Sequence, residues 1–206
     1  LKGLADLQVS LSHYQLAQQS YEASIASYDD AIQRAPDYVD ALSNKGSSMQ
    51  RLADLQVSLS HYQLAQQSYK ASIASYDDAL KSAPDHVNVL NGKGSALKGL
   101  ADLQVSLSHY QLAQQSYEAS ISTLNDALKS APDNVSALHK KGGSLQRLAD
   151  LQVSGSHYQL AQKNYEASIA TLNDVLRHAP DYIYTLNSKG IALQKLADLQ
   201  AFLSHY

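Results

Sequence analysis

The chain has no cysteine and no tryptophan, one phenylalanine, one methionine and four prolines among its 206 residues. Without cysteine, disulfides and thiolate-ligated metals are excluded, and the redox compartment leaves no mark on the sequence. No apolar run approaches the roughly 18 residues needed to span a bilayer. The net charge of −3 provides no basic field of the kind that a phosphate backbone demands. Neither nucleic acid nor a membrane is therefore an expected partner. No signal-like segment opens the chain, which starts at Leu1 and so reads as part of something longer. A cytoplasmic location is the default expectation. An apolar fraction of 44% is too high for a disordered chain. Fourteen tyrosines must supply the bulk that Phe and Trp supply elsewhere.

Those tyrosines fall in a repeat. The segment LADLQVSLSHY starts at Leu4, Leu52 and Leu100, returns as LADLQVSGSHY at Leu148 and as LADLQAFLSHY at Leu196, always 48 residues on. Pro36, Pro84, Pro132 and Pro180 keep this spacing, as do Gly46, Gly94, Gly142 and Gly190. The chain is four full periods (1–48, 49–96, 97–144, 145–192) and a partial fifth (193–206). Repeats of this length define solenoids, in which each unit buries its apolar face only against its neighbours. A single solenoid over 1–206 is expected.

Each period reads as two helices. From Tyr62 the residues Ala65, Tyr69, Ile73, Tyr76, Leu80 and Ala83 recur every three or four positions, one apolar stripe. Ser60 with Gln63 resembles a capping box at its start, and Pro84 ends it by disfavouring helical geometry at Ala83. The other helix is expected from an Asp85 N-cap to about Ser106, burying Val87, Leu90, Gly94, Leu97, Ala101 and Leu103. The turn between the helices falls near Ser106–Ser108. There Gly155 replaces the Leu of positions 11, 59 and 107, a change that is cheap just past a helix end. Each helix has roughly 20 residues, about 30 Å. A reading with three shorter helices per period lacks support, since no Gly or Pro breaks residues 52–58.

Tyr21, Ile25, Tyr28, Ala31, Ile32 and Pro36 in YEASIASYDDAIQRAPD resemble the second helix of a tetratricopeptide repeat, with Ser24 where that family prefers Ala. Leu42 and Gly46 in ALSNKGSSMQRLA resemble the bulky and glycine positions of its first helix, while Lys45 departs from a usual Leu. The resemblance implies an all-α, α-solenoid fold of antiparallel helix pairs in a right-handed superhelix, here of about nine helices. The family period is about 34 residues. The additional residues, around Ala53–Gln67, amount to about four helical turns. Shared between two antiparallel helices, they lengthen each by about two turns and keep both stripes in phase.

The copies themselves differ unevenly. Residues 4–21, 52–69 and 100–117 are identical, whereas the first helix varies. In tetratricopeptide proteins the first helices line a groove that binds peptides and partner proteins. The resemblance therefore makes candidate groove rows of Asp40, Asn88, Ser136 and Tyr184, then Ser43, Asn91, His139 and Asn187. Ser47, Ser95, Gly143 and Ile191 form a third row, and Gln50, Lys98, Gln146 and Gln194 a fourth. Drift on exposed positions after duplication is the competing reading.

No phosphate loop, nucleophile elbow or HExxH motif is present, so neither catalysis nor a cofactor is expected. His13, His61, His109, His157 and His205 recur once per period, but hairpins stacked on the order of 10 Å apart do not converge ligands at the ~2 Å that zinc needs. Lys45, Lys93, Lys141 and Lys189 are expected to lay their stems along packed surface with the ammonium in water. The expected function is a protein–protein interaction scaffold with a protein or peptide ligand. The alternative is a self-associating module. It would join through apolar terminal residues, Leu1, Leu4, Leu199, Phe202 and Leu203, end to end or by exchanging hairpins.

Overall fold

The computed structural model describes the backbone of residues 2–204 and the side chains of residues 13–204. Among the described residues all regular structure is helical. The elements are α1 (Lys2–Arg34), α2 (Val39–Ser58), α3 (Tyr62–Ser82), α4 (Val87–Ser106), α5 (Tyr110–Ser130), α6 (Val135–Ser154), α7 (Tyr158–His178) and α8 (Ile183–Ser204). None is long and apolar enough to cross a membrane. Two helices per period replace the three-helix alternative, and their pairs are antiparallel as expected.

Among the described residues eight helices stand, close to the nine or so expected. Residues 4–21 match 52–69 and 100–117 in sequence, yet they lie inside the continuous 33-residue α1. The turn is thus not dictated locally. It requires a left-handed residue, and only a long first helix folding back on the second offsets that cost. Twenty-residue helices precede the turns after α2, α4 and α6.

Two compact units divide the chain, Leu1–Pro84 and Asp85–Tyr206. In the first, α2 and α3 form a hairpin and α1 packs on α2. In the second, α4–α5 and α6–α7 are hairpins, α5 packs on α6, α7 packs on α8, and α4 also touches α6.

The three turns follow one plan. Ser60, Ser108 and Ser156 have φ near +60° (59°, 60° and 61°), and around Ser60 the amides follow a Schellman pattern. His61 N donates to Gln56 O at 2.8 Å and Ser60 N to Val57 O at 2.9 Å, satisfying the orphan carbonyls of α2. Ser60 is therefore the left-handed cap of α2, not an N-cap of α3, which starts from His61 without a side-chain cap. Gly155 has φ −89°, so its conformational freedom is unused. At the other end, Ala131 and Ala179 are extended because a proline follows each. The helix expected from Asp85 starts at Val87 with His86 at its N-cap.

Packing explains the repeat's invariant residues. A Cβ on Gly46 would meet the Tyr76 ring at 3.0 Å, and on Gly94 and Gly142 would meet Leu124 and Leu172 at 2.7 Å. The first and second helices of each hairpin approach through these glycines. Ser72, Ser120 and Ser168 are fully buried and donate to the carbonyls of Gly46, Gly94 and Gly142 at 2.7–2.8 Å. The family's Ala position thus carries Ser, which pins the two backbones together. Tyr62, expected in the stripe of α3, is 38% exposed, while Ser72 and Ser75 are buried.

The added turns have a core of their own. Ala149, Ala161, Tyr165 and Leu199 cluster in one copy, as Ala101, Ala113, Tyr117 and Leu148 do in the one before. Burying each of the leucines contributes about 1.5–3 kcal/mol. The Tyr117 hydroxyl donates to Asp102 at 2.6 Å and that of Tyr165 to Asp150 at 2.7 Å; Tyr69 does the same with Asp54. Burial, reinforced by the neighbouring carboxylate, pushes the Tyr117 and Tyr165 phenols upward, so each remains a donor. Ser68, Ser116 and Asn164 each bond the side chain of a buried glutamine, Gln56, Gln104 and Gln152, at 2.8 Å.

Candidate partner-binding surface

The candidate rows lie on the first helices α2, α4, α6 and α8; in α2, α4 and α6 the glycine contacts bind another side of the helix to its hairpin partner. Asp40, Asn88, Ser136 and Tyr184 are all exposed in the first turns. Asp40 also sits favourably at the positive end of the α2 dipole. This row presents itself to solvent at every copy.

The second row is engaged between helices. Asn91 is buried, and its Nδ2 donates to Asn134 Oδ1 at 3.2 Å. That oxygen also accepts from Ala137 N at 2.9 Å as the N-cap of α6. Lys140 Nζ reaches the Asn91 carbonyl at 3.2 Å, and Asn91 Oδ1 is buried without a partner. One copy later, His139 Nδ1 lies 2.8 Å from Thr185 Oγ1 and its ring meets Tyr182 edge-on at 5.4 Å. Tyr182 in turn packs against Tyr184 at 5.7 Å. Burial, then the nearby Lys140 charge, lowers the His139 pKa, and burial lowers that of Lys140. Variation at this row therefore alters how successive first helices are joined. Ser43 is half-buried and Asn187 exposed.

In the third and fourth rows Ser47, Ser95, Gly143, Gln50, Gln146 and Lys98 are half-buried, while Ile191 and Gln194 are exposed. Ser47 hydrogen-bonds the Tyr76 phenol, whose pKa burial raises. Lys98 is spoken for by Asp102 at 2.7 Å. Lys45 is half-buried with its ammonium 2.6 Å from Asp29, so a carboxylate receives the charge that was expected to reach water. His61, His109 and His157 are exposed beside the hairpin ends and His13 is exposed within α1; His205, Leu1 and Leu4 lie outside the described side chains.

Sequence reasoning missed a second feature, built by the added turns. Where α6 and α7 meet α8, a cleft of about 510 Å³ is lined by Asp150, Val153, Tyr158, Tyr165 and Lys195, with Leu199 among the rest. Where α4 and α5 meet α6, a cleft of about 440 Å³ uses Asp102, Val105, Tyr110, Tyr117, Arg147 and Leu151. Those are the same positions one period earlier. Between α1 and α2 a third, about 440 Å³, carries Tyr14, Tyr21, Arg51 and Asp54. The signal was present in the sequence: an aspartate and a tyrosine inside the added segment and a second tyrosine just past it, all invariant between copies, which packing alone does not require to be polar.

Together these features define a class, a helical-repeat protein of antiparallel hairpins with a solvent-facing row on each first helix. A family model of the tetratricopeptide repeat matches residues 57–104, one full period, and the chain is tetratricopeptide-repeat-like. No curated protein matches the sequence. Among solved structures, a crystal structure of MamA shares 15% identity over 87% of this chain and 81% of its own, with a TM-score of 0.41. TTC0263, a thermophilic tetratricopeptide protein of Thermus thermophilus, shares 18% over 91% and 97%, with a TM-score of 0.40.

Proposed function

We propose that the chain is a protein–protein interaction scaffold that holds a peptide or partner protein along the first-helix rows. The observation carrying this reading is the row Asp40, Asn88, Ser136 and Tyr184, exposed at every copy and different at every copy. An interaction surface needs positions free of packing duty, and this row has them on regular helices. Tyr184, 66% exposed, and Ile191, 39% exposed, are the apolar anchors of the last copy, and tyrosine is among the residue types that dominate binding energy. A photo-crosslinking residue at Asn88 or Ser136 is expected to capture a partner that the same residue at Glu118 or Glu166, on the second helices, does not. Equal capture from both faces would remove the reading.

A second reading, self-association, has its own support. Leu138, Leu145 and Ala149 of α6 are buried under α7, but their equivalents Leu186, Leu193 and Ala197 on α8 are exposed. Tyr69 and Tyr117 are buried, while the equivalent Tyr21 on α1 is only half-buried. These faces are the two halves of the internal hairpin contact, so α8 of one copy fits α1 of the next, a head-to-tail arrangement. Sedimentation over a concentration series is expected to show growth that Leu186→Glu with Leu193→Glu abolishes; a monomer throughout would exclude it.

A further inference from the structure

We infer that the pocket beside Gly155, between α5 and the α6–α7 turn, is a socket for a leucine side chain carried by the bound partner. This deepens the scaffold reading and rests on it. The pocket has a volume of about 280 Å³ and is lined by Tyr110, Leu151 and Gly155, with the exposed Gln111, Gln114 and His157 around them. Both hairpins that form it, α4–α5 and α6–α7, are complete. Its shape follows from a missing side chain. The turns after α2 and α4 carry Leu59 and Leu107 at the position of Gly155, and both are half-buried. The backbone is the same in the three copies, with φ −90°, −92° and −89°. Conformation therefore does not require glycine here, and what Gly155 contributes is space.

The repeat itself supplies the template for the occupant. Leu203 stands one period after Gly155. It packs, together with Tyr158, against the cluster of Ala149, Ala161, Tyr165 and Leu199. Tyr158 is half-buried there. Tyr110, its equivalent one period earlier and a wall of the Gly155 pocket, is 53% exposed. The same apolar seat thus occurs twice, filled by the chain's own leucine in one copy and left open by glycine in the other. The lining agrees with an aliphatic occupant. No carboxylate, lysine or arginine lines the pocket, so an ionised side chain entering it would lose hydration without gaining a partner. A leucine covers Tyr110 and Leu151 and gains by the apolar area it removes from water. The Gln111 and Gln114 amides stand where they can hydrogen-bond the backbone that carries it.

Gly155→Leu restores the residue of the second and third copies and closes the socket. Its Cβ would meet His157 Nδ1 at 2.9 Å, which that exposed ring relieves by turning away. Tyr110→Ser, at an exposed position, removes the facing wall as an independent variant. Circular dichroism of both should match the parent, and Tyr110→Ser carries the comparison if Gly155→Leu does not fold. The probe is a pool of short random peptides displayed on phage, selected on the parent chain and counter-selected on Gly155→Leu. The retained peptides are expected to share a leucine whose change to alanine weakens binding of the synthetic peptide about 10–100-fold, the scale of burying that side chain. Both protein variants should weaken the same peptide comparably. With glycine labelled in nitrogen-15, the chain's nine glycine amides form a small set, and the Gly155 signal is the one that Gly155→Leu removes. The selected peptide should shift it saturably. No peptide that tells the parent from the variants, dependence on a charged or aromatic residue in place of leucine, or an unmoved Gly155 signal would overturn the socket. A Gly155 shift that grows with protein concentration before any peptide is added would assign the pocket to a second copy and equally overturn it. The scaffold reading is tested separately, by crosslinking at Asn88 and Ser136, so the two fail independently.

Discussion

The glycine of each first helix supports a paired experiment with opposite expected signs. In Gly142→Ala the new Cβ stands 2.7 Å from Leu172 Cδ2 and 2.8 Å from Cγ, against a comfortable separation of about 3.5–4.0 Å between carbons. Leu172 is fully buried and has nowhere to swing. The helices must part, which costs about 1–3 kcal/mol as overpacking and loosens the Ser168 bond to the Gly142 carbonyl. Alanine's better helix propensity returns about 1 kcal/mol. The 2.7 Å contact with a buried side chain places the overpacking cost in the upper part of its range, about 2–3 kcal/mol, so the net expectation is destabilisation of about 1–2 kcal/mol. At Gly190, the same position one period on, nothing lies within 4 Å of the added Cβ. Only the propensity gain remains, so Gly190→Ala should stabilise by about 0.5–1 kcal/mol. Repeat arrays open piecewise, so amide exchange on α6–α7 and on α8 is the appropriate assay, with urea midpoints beside it. Gly142→Ala should raise exchange through α6 and α7 by about 5–30-fold, and Gly190→Ala should slow it in α8. A neutral or stabilising Gly142→Ala would refute the close-approach argument, as would a Gly190→Ala that destabilises equally.

Three further outcomes are expected. Ser108→Gly should stabilise the second unit by about 0.5–1 kcal/mol, because relieving a left-handed residue (about 1–2 kcal/mol) outweighs glycine's added unfolded entropy (about 0.5–1 kcal/mol); a fall in the urea midpoint would contradict the turn assignment. Ser120→Ala should destabilise by about 1 kcal/mol and by more than Ser168→Ala, since Ser120 bonds both the Gly94 carbonyl and Ser144; equal urea midpoints for the two variants would refute this. His139 has a depressed folded-state pKa, so the unfolded chain takes up the proton first. Its contribution is present above the ordinary histidine pKa of about 6.5 and is lost as pH falls through the depressed value. Urea midpoints between pH 7.5 and 5 should fall less steeply in His139→Gln, and identical slopes would dismiss the residue.

Much of the fold was legible because its strongest signals are periodic. The 48-residue register placed the prolines, the glycines and the hairpins, and Gly94 and Gly142 do mark close helix approach. What escaped was polar residues buried for a reason. Ser72, Ser120 and Ser168 disappear from an apolar stripe because serine counts as polar, yet each is satisfied by a backbone carbonyl across the hairpin. Ser60 was misassigned because Ser with a following Gln suits an N-cap, whereas the amides of Ser60 and His61 serve the preceding helix. The candidate rows were legible as positions on the first helices but not as roles. Whether residue 91 faces a partner or the next repeat depends on Asn134, 43 residues away, and no local pattern encodes that.

The same distinction explains the lengthened hairpin. Identical residues make a continuous helix in α1 and a hairpin end in the second and third copies, so the added segment does not determine its own shape. Tyr117, Asp102, Ser116 and Gln104 acquire partners only once the two long helices lie side by side. A segment that needed only to pack would use apolar residues at these positions, at no desolvation cost. Tyrosine and aspartate at the mouth of each cleft keep that end of the wall polar and open to solvent, while the alanines behind them close the core. The extension is thereby a wall with a chemically distinct edge. The alternating charges along that edge run from Lys98 to Lys195, on the same first helices as the candidate rows.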